Sequence, residues 1–286
     1  MWKVRSGWSL IVGLILFSTG CGGGSESGPQ HKPVTVKGSD TMVILAQRWA
    51  ENYMKENQGL TIQVTGGGSG VGIAALINGG TDICDASRPM KDAEKAQVKA
   101  RHGKEVKEIP VALDGVAIYV HQSSPIQSIS EAQLKGIYTG QITNWRDVGG
   151  KDGKIVAYSR ENNSGTYVFF KEHVLANADF AREIQTLPGT AAVVNAVSKD
   201  PASIGYGGIA YASGIRAIPV RKDEKSEPVM PSLATVQSGQ YPLSRNLFFY
   251  TIGDPAGDVK TFIDWVLGQE GQKICEEVGY YPLNRK

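Results

Sequence analysis

The stretch that decides the reading is residues 155–170, IVAYSRENNSGTYVFF. A short apolar run leads into a polar turn holding Arg160, Ser164, Gly165 and Thr166, and an amphipathic helical pattern follows. The first turn of a helix leaves backbone N–H groups unpaired and carries roughly half a unit of positive charge, so it attracts anions. Serine and threonine add hydroxyl donors, glycine lets a ligand approach the backbone, and arginine offers a planar fork that fits a tetrahedral oxyanion. A plain helix cap by Ser164 or Asn163, with Arg160 in solvent, explains this one turn equally well.

Two other stretches repeat the grammar. Residues 34–50, VTVKGSDTMVILAQRWA, read as strand, polar turn (Gly38, Ser39, Asp40, Thr41) and helix. Residues 60–77, LTIQVTGGGSGVGIAALI, read as strand, glycine turn with Ser69, and helix. A fourth polar turn, Asp85 to Arg88, follows a short strand over 81–84, and it makes Ser87 and Arg88 candidate ligand contacts. In an open α/β sheet such turns converge beyond the carboxyl ends of the strands, where ligands bind. An oxyanion held mainly by N–H and O–H donors accounts for all of them.

The chain has 286 residues, with 41% hydrophobic and 20% charged content, the composition of a globular protein. Its first segment stands apart. Lys3 and Arg5 precede an apolar run from Trp8 to Phe17, then Ser18-Thr19-Gly20-Cys21. This is the pattern of a secretory leader over 1–20, and small residues before a cysteine resemble a bacterial lipobox, in which Cys21 is lipidated. Residues 21–33 read as a flexible Gly/Ser/Pro tether. Removing the leader leaves 28 basic against 28 acidic residues, so no global basic field points to nucleic acid. Cys84 and Cys275 read as unpaired, buried thiols. The scattered histidines (His31, His102, His121, His173) lack metal-ligand spacing, so neither a metal nor a cofactor is expected.

Residues 106–120, VKEIPVALDGVAIYV, form a nearly continuous β signal broken by Asp114-Gly115, which suits a strand buried on both faces and crossing between two lobes. A second crossing strand is expected over 243–251, and one closing amphipathic helix over 255–278. The predicted organisation is α/β, with two open sheets joined by these strands: lobe 1 over 34–113 plus 245–286, lobe 2 over 114–244.

With GSDTM (38–42), GGGSGVG (66–72), DASRPM (85–90), LKGIYTGQITNW (134–145), SRENNSGT (159–166), SIGYGG (203–208) and YPLSRNLFFYT (241–251) on the page, the chain resembles the phosphate-binding lipoproteins of bacterial ABC-type phosphate importers. That resemblance implies a two-lobed periplasmic-binding-protein fold of type II. It implies phosphate contacts at Arg160, Ser164, Gly165 and Thr166 in the second lobe and at Ser69 and the 39–41 turn in the first. Where the best-known members carry an aspartate that accepts a proton from phosphate, this chain has Arg88. Asp40, Asp85 or Asp114 could supply the acceptor, with Asp40 first choice and Asp114 second.

The resulting expectation is a monomeric, lipid-anchored extracytoplasmic binding protein that captures inorganic phosphate and delivers it to a membrane permease. Binding of sulfate, molybdate or arsenate, or phosphate sensing, keeps the fold and changes the task. A phosphate-ester hydrolase using Ser69 or Ser164 needs a base or metal beside the serine, and no such motif is present. A P-loop reading of GGGSGVG fails because no Lys-Ser/Thr follows the glycines.

Overall fold

Three strand–helix pairs open the chain: β1 (Val34–Gly38) and α1 (Val43–Glu56), β2 (Ile62–Thr65) and α2 (Ser69–Ile77), β3 (Ile83–Ala86) and α3 (Asp92–His102). The computed structural model describes residues 32–283, so the leader, Cys21 and nearly all of the tether lie outside the described residues. β1 pairs in parallel with β2 on one side and β3 on the other. The β-branched and aliphatic residues of these strands pack against α1, whose Leu45, Trp49 and Tyr53 face inward at helical spacing.

β4 (Val106–Val120) is unbroken over 15 residues. Its first half pairs antiparallel with β11 (Ser244–Ile252), which also pairs with β3. Its second half pairs antiparallel with β8 (Ser203–Gly208) and β9 (Arg216–Ile218). Before these strands come β5 (Ile129–Ser130), α4 (Glu131–Tyr138), β6 (Val156–Arg160), α5 (Gly165–His173), β7 (Gln185–Leu187) and α6 (Gly189–Lys199). β6 lies parallel to both β8 and β7. β10 (Val220–Arg221), which pairs with β5, and α7 (Leu233–Gln237) complete the second lobe. The ladder order is therefore β2-β1-β3-β11-β4-β8-β6-β7, with β4 carrying it from one lobe to the other. α8 (Gly257–Val266) and α9 (Gln269–Val278) close the chain against the first lobe, where Trp49 Nε1 donates to the Gly271 carbonyl at 2.7 Å.

Each lobe has its own core. Trp49, Phe249 and Phe262 anchor the first; Tyr138, Phe170 and Tyr206 anchor the second, with Phe170 stacked on Tyr206 at 3.9 Å. Cys84 and Cys275 are free and buried, and burial pushes the Cys275 thiol up to about 12. No helix among the described residues is long and apolar enough to cross a membrane.

The structure corrects four details of the sequence reading. β3 starts at Ile83, because Thr81 turns the chain by donating its hydroxyl to the Thr35 and Ile83 carbonyls; Asp85 and Ala86 are therefore strand residues. β4 is continuously sheltered only from Val111 onward, and Lys107, Glu108 and Pro110 are exposed. β11 pairs with β4 no further than Gly115, so the return crossing falls at 241–244, where the Leu243 carbonyl accepts the Val116 amide at 2.9 Å. The closing helix is two helices, broken at Leu267-Gly268, which lets α9 turn back onto α1.

Candidate functional site

All four predicted turns lie at the carboxyl ends of parallel strands: 38–41 after β1, 66–69 after β2, 87–88 after β3 and 161–165 after β6. From the first lobe, Ser39 Oγ donates to Ser87 Oγ at 2.9 Å, the Ser87 amide donates to Ser69 Oγ at 3.0 Å, and the Ser69 and Ser87 hydroxyls lie 3.3 Å apart. All three serines are at most 1% exposed. The second lobe brings the N-terminus of α5 to the same point. A Cβ placed on Gly165 would lie 2.4 Å from Ser69 Oγ and 2.6 Å from Ser87 Oγ, so only glycine allows this approach. Thr166 Oγ1 meets Thr41 Oγ1 across the lobes at 2.8 Å.

Ser164 is the N-cap of α5, its hydroxyl oxygen accepting from the Thr166 and Tyr167 amides. The cap and the ligand readings are compatible, because the hydroxyl proton is still available to donate. Next to it, the Asn163 carbonyl accepts the Gly70 amide at 2.8 Å, and Asn163 Nδ2 donates to the Gly67 carbonyl at 3.1 Å. Gly68, at φ +95°, would place a Cβ 2.8 Å from that Asn163 carbonyl, so the glycine turn is shaped to receive the other lobe.

Arg160 is 1% exposed. Its Nη1 donates to Thr190 Oγ1 at 2.6 Å and its Nη2 to Asp40 Oδ2 at 2.9 Å, while its buried Nε has no partner. Burial pulls the Arg160 pKa down, and the Asp40 carboxylate opposes that fall. Asp40 also accepts the Gly67 amide at 2.7 Å through Oδ1, so it bridges a glycine turn and the opposite lobe's arginine. Tyr211 steadies it by donating to the Asp40 carbonyl at 2.7 Å.

Arg88 does not join the cluster. Its guanidinium forks onto Glu94 at 2.8 and 2.7 Å and also reaches the Pro89 carbonyl at 2.9 Å. Glu94 accepts the Lys91 amide as well, so the pair braces the first turn of α3. Asp114 is fully buried; its Oδ2 takes two bonds from Arg245 and its Oδ1 has no donor. Asp85 is 1% exposed with neither carboxylate oxygen bonded, and burial pushes it up to about 8 despite the Ser39 amide nearby.

Two participants escaped the sequence reading. Arg245 bonds Asp114, Thr166 and the Ser87 carbonyl, and Thr190 holds Arg160. The SRN of YPLSRNLFFYT carried a signal for Arg245, a cation inside an apolar strand, which requires a buried partner. Formally the two site arginines are matched by Asp40 and Asp114. The cluster therefore offers an anion hydroxyls, amides and a helix N-terminus but no excess cationic charge. Among the described residues no group of three His, Cys, Asp or Glu gathers that could hold a metal ion.

Comparison with known proteins identifies the family. A family model described as a PBP superfamily domain matches residues 23–270. The phosphate-binding protein PstS of Staphylococcus saprophyticus is 32% identical over 295 residues, covering 100% of this chain and 91% of that protein. The chain belongs to the PstS family of phosphate-binding proteins. The Pseudomonas aeruginosa PstS is likewise 32% identical, over 266 residues that cover 87% of this chain and 82% of the relative. Among solved structures, a Clostridium perfringens protein described as a phosphate ABC transporter substrate-binding protein, with bound phosphate, superposes with a TM-score of 0.80 at 28% identity; the match covers 88% of this chain and 100% of that one. An ABC-type phosphate transport receptor from Vibrio cholerae gives 0.70 at 29% identity, covering 87% and 99%. The PstS family is one of binding proteins for transport, not of enzymes.

Proposed function

We propose that the chain binds one inorganic phosphate between its lobes and delivers it to an ABC-type permease. The observation that carries this reading is the convergence of Ser39, Ser69 and Ser87 from one lobe on the α5 N-terminus at Gly165 from the other. The ligand contacts are the 39–41 turn, Ser69, Ser87, Arg160 through its free Nε, Ser164, Gly165 and Thr166. Binding without turnover fits the serines' environment: the partners of Ser69 and Ser164 are Ser87 and backbone amides, not a base. Capture outside the cytoplasm, by a monomer tethered through a lipid on Cys21, completes the proposal; Cys21→Ser moves the protein to the soluble fraction if that anchor exists.

Discrimination from sulfate requires an acceptor for the proton that phosphate keeps near neutral pH, because a donor-only site accommodates both anions. Asp40 is less suited to this role than the sequence suggested, since its two oxygens hold Gly67 and Arg160. Asp114 is better suited, with a buried Oδ1 that lacks a donor. Calorimetric titration with phosphate, arsenate, sulfate and molybdate tests the proposal. Phosphate should bind and sulfate should not compete at equal concentration; the reverse order, or no phosphate heat, refutes it.

A further inference from the structure

Arg245 is the second residue of β11 and faces Asp114 of β4 in register, at the place where the chain passes between the lobes. It is 8% exposed. Nε and Nη2 donate to Asp114 Oδ2 at 3.0 and 2.7 Å, Nη1 donates to the Ser87 carbonyl at 3.0 Å, and Nη2 also donates to Thr166 Oγ1 at 3.0 Å. The Phe169 ring lies 5.3 Å from its Cζ and confines it on one side. One side chain thus touches the first-lobe turn through Ser87 and the second-lobe helix through Thr166.

A guanidinium only donates, so Thr166 Oγ1 must give one lone pair to Arg245. Thr41 and Thr166 hold two hydroxyl protons between them, and their mutual 2.8 Å bond uses one. The other proton is left to point at a ligand. That spare proton exists with or without Arg245; by occupying one Thr166 lone pair, the guanidinium fixes how the pair is oriented, whereas without it the hydroxyls are free to rotate and turn a lone pair toward an anionic oxygen.

We infer that Arg245 is a positioning residue for the anion. Held by Asp114 where the chain passes between the lobes, it orients the Thr41–Thr166 hydroxyl pair so that the spare proton faces the ligand, and it ties the Ser87 turn to the second lobe. This rests on the phosphate reading above and adds a residue that acts through Thr166.

A double-mutant cycle tests it on the full chain, with phosphate affinity read by calorimetry. Arg245→Lys keeps a buried cation beside Asp114, but a point-like ammonium cannot serve Asp114, Ser87 and Thr166 together. It should weaken phosphate binding by roughly tenfold in the otherwise wild-type chain and by less than about threefold in a Thr166→Val background, the coupling expected of contacting residues. Equal losses in both backgrounds, or no loss from Arg245→Lys alone, overturn the inference. If Arg245→Lys does not melt cooperatively, the neutral pair Arg245→Gln with Asp114→Asn replaces it, measured against Asp114→Asn alone as the reference in both backgrounds, with the same expectation for the added loss. A wild-type chain that binds no phosphate overturns the phosphate reading and this inference with it; a binding chain with an additive cycle overturns this inference alone.

Discussion

Gly165→Ala probes the meeting point of the lobes with one methyl group. The new carbon would stand 2.4 Å from Ser69 Oγ, 2.6 Å from Ser87 Oγ and 3.0 Å from Ser69 Cβ. A comfortable carbon–oxygen contact begins at about 3.3 Å, so the two hydroxyls must retreat by roughly 0.7–0.9 Å. A ligand bond of about 2.8 Å stretched by that amount is no longer a hydrogen bond. Two such contacts, at about 1.5–3 kcal/mol each to a charged partner, amount to roughly 3–6 kcal/mol, or about 150-fold to 10⁴-fold in affinity. Forcing a methyl among buried side chains costs about 1–3 kcal/mol of stability, offset in part because Gly165 starts a helix at ordinary negative φ, where alanine is the better helix former. Calorimetry for phosphate, paired with a ligand-free thermal melt, separates the two effects. Affinity within threefold of wild type, with the melt unchanged, refutes the argument that this glycine marks the binding point.

Asp114→Asn should raise sulfate affinity relative to phosphate, whereas Asp40→Asn should weaken both anions alike by loosening the bridge to Arg160; competition titrations distinguish the patterns. Asp85 binds its proton more tightly folded than unfolded, so the unfolded chain carries fewer protons there between its ordinary value of 3.8 and about 8. Stability attributable to this group is full below that window and falls through it by about 1.4 kcal/mol per pH unit. Asp85→Asn should remove that slope, making the variant progressively more stable than wild type up to pH 8, as read by urea melts at several pH values. Arg88→Ala should cost roughly 1–2 kcal/mol of stability, because it strands Glu94, while phosphate affinity changes less than about twofold.

The three strand–turn–helix units were legible because their signals are local. Small polar residues directly after an apolar run, followed by helical spacing, place a helix N-terminus at a strand end whatever the rest of the chain does. What was not legible depends on distant pairing. Asp40 reads as a cap or an acceptor until Arg160, 120 positions away, is found on its Oδ2. Arg245 acquires its role through strand register with Asp114, 131 positions away. Arg88 was misplaced for the opposite reason: its partner Glu94 is only six residues on, but the turn at Pro89 decides whether the guanidinium faces the cluster or α3. The break between α8 and α9 was hidden because a single glycine inside a helix-compatible run does not by itself fix a helix end, and Gly268 is the only such marker there.

The most direct test of the whole account is a crystal structure of the protein grown with phosphate. One phosphate should lie between the lobes, with its oxygens about 2.7–3.0 Å from Ser69 Oγ, the Gly165 amide, Thr166 Oγ1 and Arg160 Nε. A phosphate bound outside this cluster, with these four groups making no contact to it, contradicts the account.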